Sequence, residues 1–313
     1  MENVLITGGA GFVGSHLAEA LAKKPAIKIV IADNFYLGSI ENLGNNENYS
    51  IERADISSQS TLFTIIKNYD IDTIWHLATI PLPTSIQYPE FTIHNNINCA
   101  VSVCEAKRSF PELKVINVSS SEIFGTAKQI PMNEEHPLNP ETPYAASKAS
   151  SDLIFESYSR TFGLSFLTLR PFNMFGPKQN KGTYAGVIPI FIKKILRGEE
   201  VNIFGDGNQT RDFTYVKNSV DAFINVLNFW DGNTSLDVNI GSGKETTINE
   251  LLIMLCAALD VKAPRINYLP ARLGDVSRHC CDSRKYSNLT NQRVPEISIS
   301  ALKDTISYYA NLV

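Results

Sequence analysis

The chain has 313 residues, of which 43% are hydrophobic and 19% charged, with a formal net charge of −4. This balance excludes disordered, collagen-like and coiled-coil chains, and the length suits two domains or one large α/β unit with its own core. The mild acidity argues against nucleic acid as the main partner but leaves room for a local basic site that holds a phosphate.

The opening residues show no basic stretch followed by an apolar one, so no secretory signal is expected. No apolar run nears the roughly 20 residues that span a bilayer, and a soluble, cytoplasmic protein without a membrane partner is expected. Residues 4–7 predict a first strand, and a helix over 12–23 follows a glycine turn. Strands are then predicted at 27–32, 49–53, 73–77, 114–119 and 165–170, with helices near 58–68, 90–109 and 143–162 between them. Strands alternating with helices predict a doubly wound parallel α/β sheet of the Rossmann type. Runs such as Val115-Ile116-Asn117-Val118 do not alternate cleanly, as expected of strands buried on both faces.

After Arg170 the loops lengthen and carry more glycine and proline. The reading is a dinucleotide-binding domain over 1–170 and a smaller mixed α/β substrate domain over 171–313. A strand near 236–243 is expected to return to the main sheet. Stretches 81–88 and 178–187 read as pocket loops. The five cysteines form no C-x-x-C pair and the five histidines are scattered, so free thiols in a reducing compartment and no metal site are expected.

Gly8, Gly11 and Gly14 form a G-x-x-G-x-x-G turn between a strand and a helix, with Phe12 and Val13 inside it. Such a turn lets a pyrophosphate approach the backbone at a helix N-terminus. Asp33, 19 residues past Gly14, closes the second strand and is followed by Asn34. A carboxylate there accepts from the adenosine ribose and repels a 2′-phosphate, which favours NAD over NADP. Tyr144 and Lys148 stand at i, i+4 and share one helical face. The lysine charge is expected to lower the tyrosine pKa and make it a usable base. Ser119, Ser120, Ser121 and Glu122 leave the fifth strand at its carboxyl end, where ligands sit in such sheets.

These segments occur in the order seen in the extended short-chain dehydrogenases/reductases, the nucleotide-sugar epimerases and dehydratases. The resemblance includes His76-Leu77-Ala78, Arg170-Pro171-Phe172-Asn173, the 186–189 and 205–213 runs, and Arg272-Leu273-Gly274-Asp275, and so covers nearly the whole chain. It implies that Tyr144 removes a sugar hydroxyl proton, Lys148 holds the cofactor ribose and tunes Tyr144, and Ser120 bonds the same hydroxyl. It implies further cofactor contacts at Asp55, Ile56, Leu77, Ala78 and Pro171. Substrate contacts are implied at Ser121, Asn173, Val187, Arg211, Arg272 and Asp275, with Asn173 and the two arginines on the nucleotide diphosphate. His76 reads as structural.

The implied reaction starts with oxidation of the sugar at C4. Glu122 resembles the base that dehydratases use at C5, and decarboxylating relatives also carry it; it could equally be a structural carboxylate. The 186–189, 205–213 and 272–275 runs look more like UDP-hexose 4-epimerases. The expectation is a UDP-sugar 4-epimerase, with a 4,6-dehydratase as the alternative and a decarboxylase behind both. Family analogy implies a homodimer through the helices near 90–109 and 144–162, with Ser150, Ser151, Ile154 and Tyr158 on the shared face.

Overall fold

A computed structural model of the protein describes residues 2–179, 186–271 and 276–312. The first half alternates strand and helix: β1 (Glu2–Thr7), α1 (Phe12–Leu21), β2 (Ile27–Asp33), β3 (Tyr49–Arg53), α2 (Gln59–Asn68), β4 (Thr73–His76), α3 (Leu82–Gln87), α4 (Pro89–Ser109), β5 (Lys114–Val118), α5 (Pro143–Phe162) and β6 (Leu167–Pro171). The second half has shorter pieces: β7 (Met174–Phe175), α6 (Val187–Leu196), β8 (Val201–Phe204), β9 (Thr210–Arg211), β10 (Thr214–Tyr215), α7 (Val216–Phe229), β11 (Leu236–Ile240), β12 (Thr246–Thr247), α8 (Ile248–Leu259), β13 (Ile266–Leu269), α9 (Arg284–Thr290) and α10 (Ile299–Ala310).

Seven strands form one parallel sheet in the order β11-β6-β5-β4-β1-β2-β3. The doubly wound Rossmann sheet expected from the sequence is therefore present. Side chains on β1 show why it is buried on both faces. Val4 and Ile6 enter one core with Leu17 of α1 and Phe223 of α7, while Leu5 enters the other with Leu62, Val103 and Phe155 of α2, α4 and α5. Both α7 and β11 come from beyond Arg170 and return to this layer; Leu236 pairs with Leu167 and Ile240 with Pro171. A further apolar cluster joins Phe191 and Ile192 of α6, Val201 of β8, Leu251 and Leu255 of α8 and Leu302 of α10.

Local chemistry sets the ends of the site-bearing helix. The Thr142 hydroxyl accepts the Ala145 N–H at 3.1 Å, Pro143 occupies the first turn, and Gly163 closes α5 at φ 67°. The stretch 81–88, read as a loop, is mostly helix: α3 begins after Pro81, and Pro83 sits in its first turn, where no N–H is needed. Among the described residues no helix is long and apolar enough to cross a membrane. All five cysteines are free and buried. No group of three or more His, Cys, Asp or Glu among the described residues is placed to hold a metal.

Candidate active site

The chain order reverses between β1 and β4, and a cleft of about 460 Å3 opens at the carboxyl ends of the strands there. Gly8 after β1 lies against Ala78 after β4: a Cβ on Gly8, whose φ is 68°, would stand 2.8 Å from the Ala78 Cα. The Thr7 hydroxyl accepts from the N–H groups of Leu77 and Ala78, so its own proton goes to His76 Nδ1, 3.0 Å away. Burial holds the His76 pKa down to about 3, and this ring is a neutral brace between β1 and β4.

One end of the cleft fits a dinucleotide. A Cβ on Gly14 would stand 2.4 Å from the Gly8 carbonyl oxygen and one on Gly11 3.1 Å from it, so the turn has room only for backbone. No side chain caps the N-terminus of α1 and no acid occupies its first turn, which leaves amide donors for an anion. Asp33 Oδ2 accepts from Ala10 N at 2.9 Å and Oδ1 from Phe35 N at 2.8 Å. These bonds fix the carboxylate at the cleft and leave lone pairs for ribose hydroxyls. Burial raises its pKa, and the two amide bonds oppose that rise. Phe12, Val13, Asn34, Asp55, Ile56, Leu77, Ala78 and Pro171 also line the cleft.

The other end holds a group of hydroxyls. Ser120, Ser121, Glu122, Tyr144 and Asn173 line it. Ser120 caps a short 3-10 turn, Ser121–Phe124, by accepting the Glu122 N–H at 3.2 Å. Tyr144, half-buried at the first turn of α5, has the Ser120 side chain near enough to favour its ionised form. Lys148 lies one turn further and behind the wall, where its buried Nζ donates to the Val118 carbonyl at 2.9 Å. The lysine does not lower the tyrosine pKa as expected. Burial pushes the Tyr144 phenol up to about 12, Glu122 and Asp152 add to the rise, and only Ser120 opposes it. Burial also lowers the Lys148 pKa, against the pull of Asp152.

Not every expected contact reaches the cleft. Gly186 lines it but Val187 does not; that side chain packs against the cluster of α6 and α8. Arg211 on β9 donates to the Thr210 carbonyl at 2.9 Å and is not among the described lining residues. Arg272 and Asp275 lie outside the described residues. Pro81–Pro83 and Gln179, from the two stretches read as pocket loops, also line the cleft, as do Thr79 and Ile80 ahead of α3 and Cys99 on α4. Asn96 pins the α3 wall, with its side chain bonded to both backbone groups of Ile80 and to the Ser147 hydroxyl.

Residues 4–241 match the model of the NAD dependent epimerase/dehydratase family. The chain belongs to this family. Family members are NAD-dependent, and the glycine cradle and Asp33 fit that cofactor. Over 98% of both chains, the sequence is 32% identical to the UDP-glucose 4-epimerase of Mycolicibacterium smegmatis. It is 29% identical to a dTDP-glucose 4,6-dehydratase of an Actinoplanes species, covering 98% of this chain and 97% of that one. The fold superposes with a TM-score of 0.90 on a UDP-N-acetylglucosamine 4-epimerase of Methanobrevibacter ruminantium, solved with UDP-N-acetylmuramic acid. That protein is 35% identical, with 100% of this chain and 99% of the other covered.

Proposed function

We propose that this protein is a UDP-sugar 4-epimerase that works by transient oxidation at C4. The observation that carries the reading is that the Ser120 and Tyr144 side chains line the same cleft as the glycine cradle. Two hydroxyls aimed at one place can hold and deprotonate a single sugar hydroxyl. Bound NAD+ would supply positive charge beside the phenol and a reversible acceptor for the C4 hydride. Tyr144 then takes the hydroxyl proton and returns it after the keto sugar has turned. Ser120 holds the oxygen throughout, and Lys148 fixes the wall through the Val118 carbonyl.

Glu122 weighs on the choice of reaction. The other carboxylates of the described cleft wall, Asp33 and Asp55, follow β2 and β3. β2 lies three strands from β5, or ~14 Å at ordinary strand spacing. A dehydratase needs a base at C5 and an acid for the departing C6 hydroxyl, and this end offers one carboxylate for both tasks. An epimerase needs neither. The closer sequence likeness to 4-epimerases supports the same choice. Glu122 on the reactive wall keeps dehydration as the second reading.

The substrate contacts proposed are Ser121 and Asn173 in the cleft, Arg211 and Arg272 as partners for the diphosphate, and Asp275 as a further substrate contact. A cytoplasmic homodimer belongs to the same reading. Of the residues expected on its face, Ser151 is buried and Ile154 and Tyr158 are half-buried against the core, while Phe91, Leu153 and Phe162 of the same helices are exposed.

The test is to incubate the protein with NAD+ and UDP-, GDP-, CDP- and dTDP-sugars and analyse the products by chromatography and mass spectrometry. A UDP-hexose product of unchanged mass and altered mobility is expected. A product lighter by one water makes it a dehydratase. Tyr144→Phe should lower turnover by roughly 10²–10⁴-fold while NAD stays bound; near-normal turnover removes the mechanism.

A further inference from the structure

His279 follows the 272–275 run, belongs to none of the motifs read from the sequence, and touches two cleft residues. It is fully buried, its ring tilted by 35° against Phe172 with centroids 4.8 Å apart. Nε2 is 3.1 Å from the Ser121 carbonyl oxygen, and Nδ1 is 3.4 Å from the terminal amide of Asn173, on its Oδ1 side. Both neighbours in that arrangement are acceptors. A neutral imidazole has one N–H to give, and only an imidazolium has two. Burial holds this ring neutral, with a pKa lowered to about 4, and the Arg211 and His136 charges lower it further while the Ser121 bond opposes.

The single proton must go to the Ser121 carbonyl, because a carbonyl cannot donate. Placing it on Nδ1 instead would face the Nε2 lone pair with that carbonyl and leave a buried acceptor unpaired, at about 1–3 kcal/mol. With the proton on Nε2, Nδ1 is an acceptor and needs a donor. Asn173 supplies one if its amide turns over to present Nδ2, a change that keeps the shape of the side chain.

We infer that His279 is a positioning residue: as the Nε2–H tautomer it fixes the Asn173 amide with its NH2 on the ring and its carbonyl oxygen toward the cleft. This deepens the nucleotide-sugar reading and rests on it. A carbonyl oxygen is the wrong partner for a diphosphate and the right one for a hydroxyl or N–H of the sugar. The diphosphate role that family likeness gives Asn173 is thereby replaced by a sugar contact, and His279 becomes a determinant of which sugar is held.

Two measurements test this. The first is 15N NMR of histidine-labelled protein without substrate, at about pH 6 to 8, with the His279 signals assigned by their loss in His279→Gln. An Nε2–H, unprotonated Nδ1 pattern is expected; an Nδ1–H or doubly protonated ring overturns the inference. The second compares the affinities of UDP and UDP-glucose in the wild type and in His279→Gln. The glutamine can still donate to Ser121 but offers Asn173 no fixed acceptor. UDP-glucose should bind about fivefold to tenfold more weakly while UDP is unchanged, the size of one lost hydrogen bond. Equal losses for both ligands place Asn173 on the diphosphate and overturn the sugar contact, as does no loss for either. A wild type without affinity for UDP-glucose refutes the nucleotide-sugar reading and the sugar contact with it, while the NMR result still decides the tautomer.

Discussion

At the scale of single residues, the Asp33 carboxylate is the proposed cofactor contact with the clearest geometry. Asp33 behaves as its position implies: it ends β2, lies 7% exposed, and is held by two amides beside the glycine turn. Replacing it with alanine removes the charged acceptor and the repulsion of a 2′-phosphate together. Asp33→Ala should weaken NAD binding by roughly 10- to 100-fold, the loss of one to two charge-assisted hydrogen bonds, and should narrow the gap to NADP. Fluorescence titration with both cofactors checks this; unchanged affinities would remove Asp33 from the ribose site. Tyr144 shows the limit of the residue scale. Its spacing from Lys148 is visible in the letters, but the phenol's pKa depends on burial and on Glu122 and Asp152, and these meet only in the folded protein. His279 was illegible for the same reason, since nothing in a sequence says that it reaches Ser121, 158 positions away.

At the scale of elements, local signals were strong where one residue type has one physical use. β-branched runs and glycine turns gave the strands around the cleft, and the helix read over 143–162 agrees with α5, whose ends Thr142, Pro143 and Gly163 set in the structure. α3 was missed because Pro81 and Pro83 look like loop residues, although proline is tolerated at a helix start. The pocket position read for 81–88 agrees with the structure, since α3 and the residues before it form one wall of the cleft. The glycine turn is the element with least tolerance. At Gly14 a methyl group would stand 2.4 Å from the Gly8 carbonyl oxygen and 2.7 Å from the Gly9 Cα, both backbone atoms that cannot swing aside. Gly14→Ala should therefore cost roughly 1–3 kcal/mol of stability and strip bound NAD. Gly163→Ala is the control: its Cβ meets nothing within 4 Å, so its strain is confined to the left-handed φ of 67°. Thermal unfolding and NAD content of the two variants separate the effects. A Gly14→Ala protein that retains NAD at wild-type levels would show that the turn opens without harm.

At the scale of the whole molecule, the same burial that shapes the cleft ties stability to pH. His16, His76 and His279 are all buried, and burial is the leading cause of pKa values lowered to about 4, 3 and 4. Unfolded, each ring takes a proton near pH 6.5, whereas folded it stays neutral until the pH falls much further. Depressed imidazole pKa values therefore give stability that is full above about 6.5 and is lost as pH falls toward the folded values. Between about pH 6 and 4 these three rings bind up to three more protons in the unfolded chain than in the folded one. That corresponds to a slope of roughly 4 kcal/mol per pH unit at its steepest. A domain stable by ~5–15 kcal/mol cannot sustain such a slope for long. Urea midpoints should be steady from pH 8 to 7 and fall steeply below about 6. All three rings also brace the cleft: His16 donates to the Phe12 carbonyl at 2.8 Å, His76 accepts from Thr7, and His279 donates to the Ser121 carbonyl. Bound NAD should accordingly be released at or before the acid midpoint. NAD retained through global unfolding, or a flat urea midpoint down to pH 5, would show that the imidazoles are solvated and that the cleft does not depend on their neutral form.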